Sequence, residues 1–299
     1  MKFAPAQAGA FFIRAGILLA VRRGCFYNEP MDAPPKTHRR SFPWRWILLG
    51  LAVLLTAVWL FLTPSGLLGK ADAIGYAVCH RIDARSFHIH GTQFPLCARC
   101  SGTFIGAMLG LAYQTAFGRK GKMPPALVLV LFGALALAWV LDGSNSFLML
   151  LPGDRSVYET TNLTRLLTGT GMGLAISVVL RPAFIQTVYT TWEEESVFED
   201  WKKLLGLLLA AALLDLLILL EIPWILYPLA LVGSLGVVVL LMIIYCMVWV
   251  MITNHENRYA RFREIWVPLV GGYMVAMLQI GVIDLLRYLW TGTWAGFVL

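Results

Sequence analysis

The sequence predicts an all-α fold: a polytopic transmembrane helical bundle of about seven spans, with its N-terminus in the cytoplasm. Composition is the first indication, because 59% of the 299 residues are hydrophobic, only 14% are charged and mean hydropathy is +0.71. Soluble domains carry about 25% charged residues. The second indication is a series of uncharged runs near the roughly 20 residues that cross a bilayer. The third is an unequal distribution of Lys and Arg between alternate loops. A soluble enzyme, a disordered tail and a coiled coil are excluded.

Charged residues bracket the expected spans. The fourth uncharged run, 166–180, is short, so we expect that span to begin near Thr160 and to contain Arg165. Pro223 and Pro228 mark the frayed start of the sixth span. The predicted spans are 46–69, 100–118, 123–141, 160–180, 204–221, 225–255 and 265–290.

The distribution of basic residues predicts the orientation. Of the 24 Lys and Arg, 17 precede span one or lie in the loops after spans two, four and six, and seven lie on the other side. The positive-inside rule therefore places the N-terminus in the cytoplasm and the C-terminus outside, in a cell (inner or plasma) membrane. This asymmetry also explains the net charge of +7. We expect a lipid bilayer and no nucleic acid as partner, because no basic stripe with interleaved aromatic residues occurs.

The spans divide the chain into four segments. The first segment, residues 1–44, is expected to be disordered. Its residues 1–30 are either an extension or lie upstream of a true start at Met31. The third segment, residues 182–202, carries apolar residues at helical spacing beside an acidic face, which predicts a cytoplasmic amphipathic helix. The segments are 1–44 (cytoplasmic), 45–181 (spans one to four, with an extracytoplasmic Cys/His loop at 64–99), 182–202 (amphipathic) and 203–299 (spans five to seven).

Residues with metal-binding chemistry are concentrated in the loop between spans one and two, which holds three of the five cysteines and three of the five histidines within 22 residues. Cys97 and Cys100 have the spacing that directs two sulfurs to one point, as in a tetrahedral metal knuckle. Cys79 supplies a third ligand. Zinc is the expected metal, although copper(I) also suits thiolates. The histidines available as a fourth ligand are His80, His88 and His90.

The same cysteines support two other interpretations. Cys97 and Cys100 lie where the second span begins, and a helix N-terminus lowers a thiol pKa, which favours a reactive thiolate. In a membrane thiol–disulfide oxidoreductase, Cys97 or Cys100 attacks and Cys79 resolves the mixed disulfide. A plain disulfide on the oxidising side of the membrane is the remaining alternative, and it leaves one cysteine unpaired.

Polar residues inside spans are concentrated in the predicted outer halves. Charges in a membrane are costly and usually functional, so these residues are candidates for the same site as the cysteines. The structural alternative is that they pair, as Arg165 with Asp142 and Arg287 with Asp284. For Asp215, the first-choice partner is Arg165. The candidates are Asp142, Asn162, Arg165, Asp215 and Asp284.

Glycines recur at small-x-x-x-small spacing in two spans. This spacing lets helix backbones approach closely, so spans two and four are expected to be central and packed together. The glycines are Gly102, Gly106 and Gly110 in span two, and Gly169 and Gly173 in span four.

Several short motifs occur between Cys79 and Gly169. They are Cys79-His80-Arg81, Ser86-Phe87, Pro95-Leu96-Cys97-Ala98-Arg99-Cys100-Ser101-Gly102, Leu141-Asp142-Gly143, Asn162 through Arg165, and Thr168-Gly169. Together these motifs resemble a family of bacterial and archaeal polytopic membrane proteins classed as a domain of unknown function. The resemblance covers roughly residues 70–180 and implies that the cysteine loop, Asp142, Asn162 and Arg165 belong to one site. It implies no activity.

The sequence therefore predicts an integral membrane protein with a metal–thiolate site, formed by Cys79, His80, Cys97 and Cys100, beside a charged polar cluster at the extracytoplasmic face. The alternative is the thiol–disulfide oxidoreductase. A transporter is less favoured, because a transport path needs polar groups throughout and the inner halves of the spans lack them.

Overall fold

The computed structural model describes residues 44–152 and 155–297. The disorder expected for the N-terminal segment and the suggested start at Met31 therefore lie outside the described residues. Within them, the chain forms eight α-helices and one β-hairpin. In chain order these are α1 (Trp44–Leu62), α2 (Gly66–Val78), β1 (Ser86–Ile89), β2 (Thr92–Cys97), α3 (Ala98–Thr115), α4 (Ala126–Leu148), α5 (Asn162–Val188), α6 (Trp201–Leu219), α7 (Pro223–Ile252) and α8 (Trp266–Thr291).

The helical membrane bundle is confirmed. Every described helix except α2 has at least 18 residues, and five of them are long and apolar enough to cross a membrane: α1, α4, α5, α7 and α8. Helix α3 is less apolar and contains Arg99 and Gln114, whereas α6 is apolar but holds three charged residues, Lys202, Lys203 and Asp215. Five helices are therefore candidate spans, and α3 and α6 are the two further helices that correspond to the predicted seven.

The first predicted span, 46–69, is interrupted. Helix α1 ends at Leu62 and α2 begins at Gly66, because Pro64 lacks an N–H and its ring clashes with the preceding helical turn. Lys70, expected to end the span, turns back instead: its Nζ donates to the carbonyl of Thr63 (2.9 Å) and to that of Leu60. The lysine thus satisfies carbonyls at the C-terminal end of α1.

The close packing expected between spans two and four is confirmed. A Cβ added at Gly169 of α5 would lie 2.2 Å from the Arg99 carbonyl oxygen, and one at Gly173 would lie 2.1 Å from that of Thr103. From the other side, a Cβ at Gly102 of α3 would lie 2.5 Å from the carbonyl oxygen of Leu166. The two helices therefore touch backbone to backbone and form the centre of the bundle.

Loop contacts define two ends of the bundle. At one, which we call the basic end, the loops after α3, α5 and α7 meet; Arg119 Nη1 donates to the Ala260 carbonyl (2.7 Å). At the other, which we call the cysteine end, the chain after α8 lies against the residues that follow α2. There the Phe297 N–H donates to the His80 carbonyl (3.0 Å).

The amphipathic helix predicted for 182–202 is wrong. Helix α5 continues through Val188, and the chain beyond it is irregular apart from a 3₁₀ turn at Val197–Glu199. Phe198 is buried, because the apolar residues here pack against the bundle instead of lining one helical face. The glutamates form ion pairs with the loop after α3: Lys120–Glu195 (2.5 Å) and Lys122–Glu199 (2.7 Å).

Candidate metal centre

A two-stranded hairpin positions two of the three cysteines. Strands β1 and β2 pair antiparallel, with Ser86 opposite Cys97. Their two-residue turn has positive φ at His90 (49°) and Gly91 (78°), the backbone of a tight hairpin turn. Strand β2 then runs directly into α3, so Cys97 occupies the N-cap and Cys100 the first turn.

The third cysteine reaches the same point from α2. Cys79 is the C-cap residue of that helix, and its Sγ accepts hydrogen bonds from the backbone N–H groups of Arg81 (3.4 Å) and Cys97 (3.3 Å). The sulfurs of Cys79, Cys97 and Cys100 all lie within 4.8 Å of one another. Three sulfurs around a tetrahedral zinc ion, at about 2.3 Å from it, are about 3.8 Å apart. The donor set and its spacing therefore fit a thiolate-bound metal ion after small rotamer shifts.

The histidines of the loop are not equivalent. His80 is half-buried, and its Nδ1 lies 3.8 Å from the Sγ of Cys79. His88 on β1 lies 3.0 Å through its Nε2 from Asp83, and His90 is exposed in the hairpin turn. His80 is thus the histidine placed to approach the three sulfurs.

Hydrogen bonding distinguishes two of the thiols. Bonds from Cys100, Cys97 and His80 hold the pKa of the Cys79 thiol well below its usual range, despite burial. The bond with Cys100 lowers the pKa of Cys97, but bonding to Cys79 and burial outweigh it and raise that pKa to about 12. Cys79 is therefore the one of these two thiols that loses its proton more readily, and a metal must displace the proton of Cys97.

A polar cluster lies beside the cysteines, where α3, α4 and α5 meet the cysteine end. Asp142 of α4 is 2% exposed and forms an ion pair with Arg99 of α3. Its other oxygen accepts a hydrogen bond from the Tyr158 hydroxyl (2.9 Å). The predicted Arg165–Asp142 pair is therefore wrong: Arg99, in the first turn of α3, takes that position.

Arg165 instead belongs to a chain of hydroxyl contacts. Its Nη2 donates to Thr160 Oγ1 (2.7 Å) and its Nη1 to Asn162 Oδ1 (3.1 Å). The Thr160 hydroxyl donates in turn to Ser146 Oγ (3.3 Å), which also accepts a hydrogen bond from Arg85 Nη1 (3.2 Å). Two arginines from different elements are thereby held through a pair of neutral hydroxyl groups.

The two acidic residues deeper in the bundle have other partners than those predicted. Asp215 Oδ1 accepts a hydrogen bond from the Thr170 hydroxyl (2.6 Å), so its predicted pairing with Arg165 is wrong. Asp284 Oδ2 accepts a hydrogen bond from the indole N–H of Trp59 in α1 (3.1 Å). Arg287 donates to backbone carbonyls, so the expected Arg287–Asp284 pair is not formed either. Neither carboxylate joins the cluster around the cysteines.

Comparison with known proteins identifies a family of membrane proteins. Residues 79–179 match the family described as "Predicted membrane protein (DUF2085)". An uncharacterized protein of Methanothermobacter thermautotrophicus is 34% identical over 104 residues, which are 35% of this chain and 85% of the relative. The chain belongs to the DUF2085 family. An uncharacterized protein of Methanocaldococcus jannaschii is 25% identical over 119 residues, covering 39% of this chain and 70% of the relative. No solved structure matches the chain.

The DUF2085 segment contains the candidate site. It begins at Cys79, includes the other two clustered cysteines and ends within α5, so Arg85, Asp142 and Arg165 lie inside it. Helices α1, α2, α6, α7 and α8 lie outside it. The resemblance inferred from the sequence motifs is thus confirmed at the level of the family.

Sequence reasoning missed four side chains of the polar cluster. Ser146 and Thr160 carry no charge and have no diagnostic spacing, so nothing in the sequence distinguishes them. Tyr158 belongs to a loop whose path depends on tertiary contacts. Arg85 offered a signal, because it adds a basic residue to a loop on the side where basic residues are few.

Proposed function

We propose that this DUF2085 protein carries a zinc–thiolate centre at the extracytoplasmic face of the cell membrane. The observation that carries the proposal is the convergence of three cysteines, from the end of α2 and the start of α3, to within 4.8 Å. Thiolates are ligands that zinc and copper(I) prefer, and tetrahedral zinc sites commonly use sulfur and imidazole together. His80, beside Cys79, is the proposed fourth ligand.

The centre would join the end of α2, the end of the hairpin and the start of α3. Cys79 ends α2, whereas Cys97 ends the hairpin and Cys100 begins α3. A metal bound by all three fixes the hairpin against both helices. With His80 bound, the site is closed, as structural zinc sites are; with water in its place, the site has the open position of a catalytic zinc. The His80→Ala variant separates these roles, because a closed site loses zinc affinity and an open one keeps it.

Elemental analysis of the purified full-length protein, combined with a thiol count, tests the proposal. We expect about one zinc per chain, and three thiols that become reactive only after chelation. Single Cys→Ser changes at Cys79, Cys97 or Cys100 should abolish stoichiometric zinc. Cys246→Ser is the matched control, since this cysteine is buried in α7 away from the cluster, and it should retain the metal. Metal-free wild-type protein with two thiols that appear only after reduction would refute the zinc centre.

Metal-free protein with two thiols that appear only after reduction would favour the second candidate function, a thiol–disulfide oxidoreductase. The supporting observation is the convergence of Cys97, at the N-cap of α3, Cys100, in its first turn, and Cys79 to within 4.8 Å, which places a resolving thiol beside an attacking one. Attack by Cys97 or Cys100 on a substrate disulfide forms a mixed disulfide and releases one substrate thiolate. Cys79 then displaces the second thiolate, leaving a protein disulfide and a reduced dithiol, so two electrons pass to the substrate.

A further inference from the structure

The polar cluster beside the cysteines carries more positive charge than its carboxylate neutralises. Arg99 is paired with Asp142, whose second oxygen is already engaged by Tyr158. Arg85 and Arg165 are 8% and 6% exposed, and among the described residues neither contacts a carboxylate. Two buried guanidinium groups thus have no carboxylate partner within residues 44–152 and 155–297.

These two arginines are linked to each other through two hydroxyl groups. The Ser146 and Thr160 hydroxyls lie between them, 3.3 Å apart, each accepting from one guanidinium. Arg165 Nε is buried without a hydrogen-bond partner. Burial lowers the pKa of Arg85, and the like charge of the nearby Arg99 guanidinium lowers it further. Burying like charges without compensation is costly, so the folded protein favours binding an anion there.

A metal centre does not remove this excess. Cys97 is within electrostatic range of both Arg85 and Arg165. A divalent zinc with three thiolates carries a single negative charge, so at least one of the two positive charges stays unbalanced. The arginines therefore call for an anion of their own, both in the metal-free protein and with zinc bound.

We propose that Arg85 and Arg165, with the hydroxyl groups of Ser146 and Thr160 between them, bind a phosphate monoester or inorganic phosphate. Two guanidinium groups match the two negative charges of such a group, and their planar N–H pairs suit bidentate contact with its oxygens. The Ser146 hydroxyl, which accepts from Arg85 and Thr160, adds one donor for a further oxygen. The N-terminus of α5, which begins at Asn162, lies at the same place and favours negative charge. This site goes beyond the metal centre and does not depend on it.

The bound phosphate group is either inorganic phosphate from solution or part of a lipid headgroup. One experiment distinguishes these two sources. Full-length protein in phosphatidylcholine nanodiscs is equilibrated with radiolabelled inorganic phosphate, and separately with phosphatidic acid added to the discs. Saturable binding of the first supports a soluble phosphate, and selective retention of the second supports a lipid headgroup. We expect Arg85→Gln and Arg165→Gln each to weaken binding at least tenfold, and Arg155→Gln, an exposed arginine of the same end, to leave it unchanged. Binding of neither probe, or equal binding by the Gln variants, would overturn the proposal.

Thermal melts keep the test independent of folding defects. In phosphate-free buffer, Arg85→Gln should melt above wild type, because it removes one of two repelling charges. In saturating phosphate the order should reverse. A variant that melts lower in both buffers marks a purely structural arginine and contradicts the proposal. Zinc content should be unchanged in Arg85→Gln, and Cys97→Ser should lose zinc while keeping phosphate binding, so failure of one site is distinguishable from failure of the other.

Discussion

Arg287 of α8 donates a hydrogen bond from Nη1 to the backbone carbonyl of Cys79 (2.6 Å), a residue 208 positions earlier in the chain. The same nitrogen donates to the Tyr76 carbonyl, and the guanidinium lies over the Tyr76 ring at 3.9 Å. Arg287 is outside the segment that matches the family. A helix beyond the DUF2085 segment thus orients the first cysteine of the candidate centre.

We expect Arg287→Met to lower zinc affinity about 10–100-fold, the usual effect of losing a group that orients a metal ligand. The side chain keeps its apolar stem, but the carbonyls of Cys79 and Tyr76 lose their donor. Competition with a chromogenic chelator measures the affinity, and Arg155→Gln serves as the control. A lower melting temperature with unchanged zinc affinity would mean that Arg287 stabilises the bundle without acting on the cysteines.

Helix contact between α3 and α5 predicts a sharp contrast between two glycines. Gly173→Ala forces a methyl group against the Thr103 carbonyl, 2.1 Å from the added Cβ, so the helices must separate. We expect a loss of about 1–3 kcal/mol, the usual cost of overpacking. The free energy of unfolding from SDS titration provides the measurement.

Gly133→Ala in α4 is the matched control for that experiment, because a Cβ there meets nothing within 4 Å. Alanine is the better helix former by about 0.5–1 kcal/mol, so this variant should be neutral or slightly more stable. Similar destabilisation of both variants would contradict the α3–α5 explanation, because helix propensity favours alanine at both positions and Gly133 lies outside that contact.

The central helix pair was predictable because its cause is local. Small residues at four-residue spacing form one face of a helix whatever surrounds it, and Gly169 and Gly102 indeed lie at the contact. The convergence of Cys97 and Cys100 was predictable for the same reason, since four successive residues cannot lie far apart. The approach of Cys79 could only be suggested, because it depends on the path of α2.

Features set by tertiary contact were not predictable. The uncharged run through Pro64 matches a continuous span in composition, and only the return of Lys70 to the carbonyl of Thr63 reveals the break. The two short strands lie in a loop where the cysteines dominate the pattern. Partners of buried charges were also missed, because neutral hydroxyl groups and backbone carbonyls satisfy them as well as opposite charges do.

Orientation in the membrane is open to a direct test. Asp83 at the cysteine end is 77% exposed in its side chain, and Glu194 at the basic end is also exposed. The positive-inside rule predicts that Asp83→Cys reacts with an impermeant maleimide in intact cells and Glu194→Cys only after permeabilisation. Wild-type protein reports background labelling from its native thiols. The reverse pattern would place the candidate centre in the cytoplasm.

The carboxylate of Asp215 in α6 is paired with a hydroxyl group of α5. Asp215 is 5% exposed, and its hydrogen bond comes from Thr170, five residues and about 7.5 Å along α5 from Arg165. That separation explains why the arginine predicted as its partner does not reach it. Hydrogen bonds between membrane helices couple by about 0.6 kcal/mol on average and up to about 1.7 kcal/mol.

A pair of double-mutant cycles tests whether Asp215 couples to Thr170, its partner in the structure, or to Arg165, the partner expected from the sequence. Thr170→Val keeps the shape of the side chain and removes the donor. Combined with Asp215→Leu, it should be less destabilising than the sum of the single changes, by about 0.6–1.7 kcal/mol. Arg165→Leu with Asp215→Leu should instead be additive within about 0.5 kcal/mol, because the two residues share no contact. Coupling to Arg165 and additivity with Thr170 would show that the carboxylate extends towards the cysteine end, and that α6 contributes to the polar cluster after all.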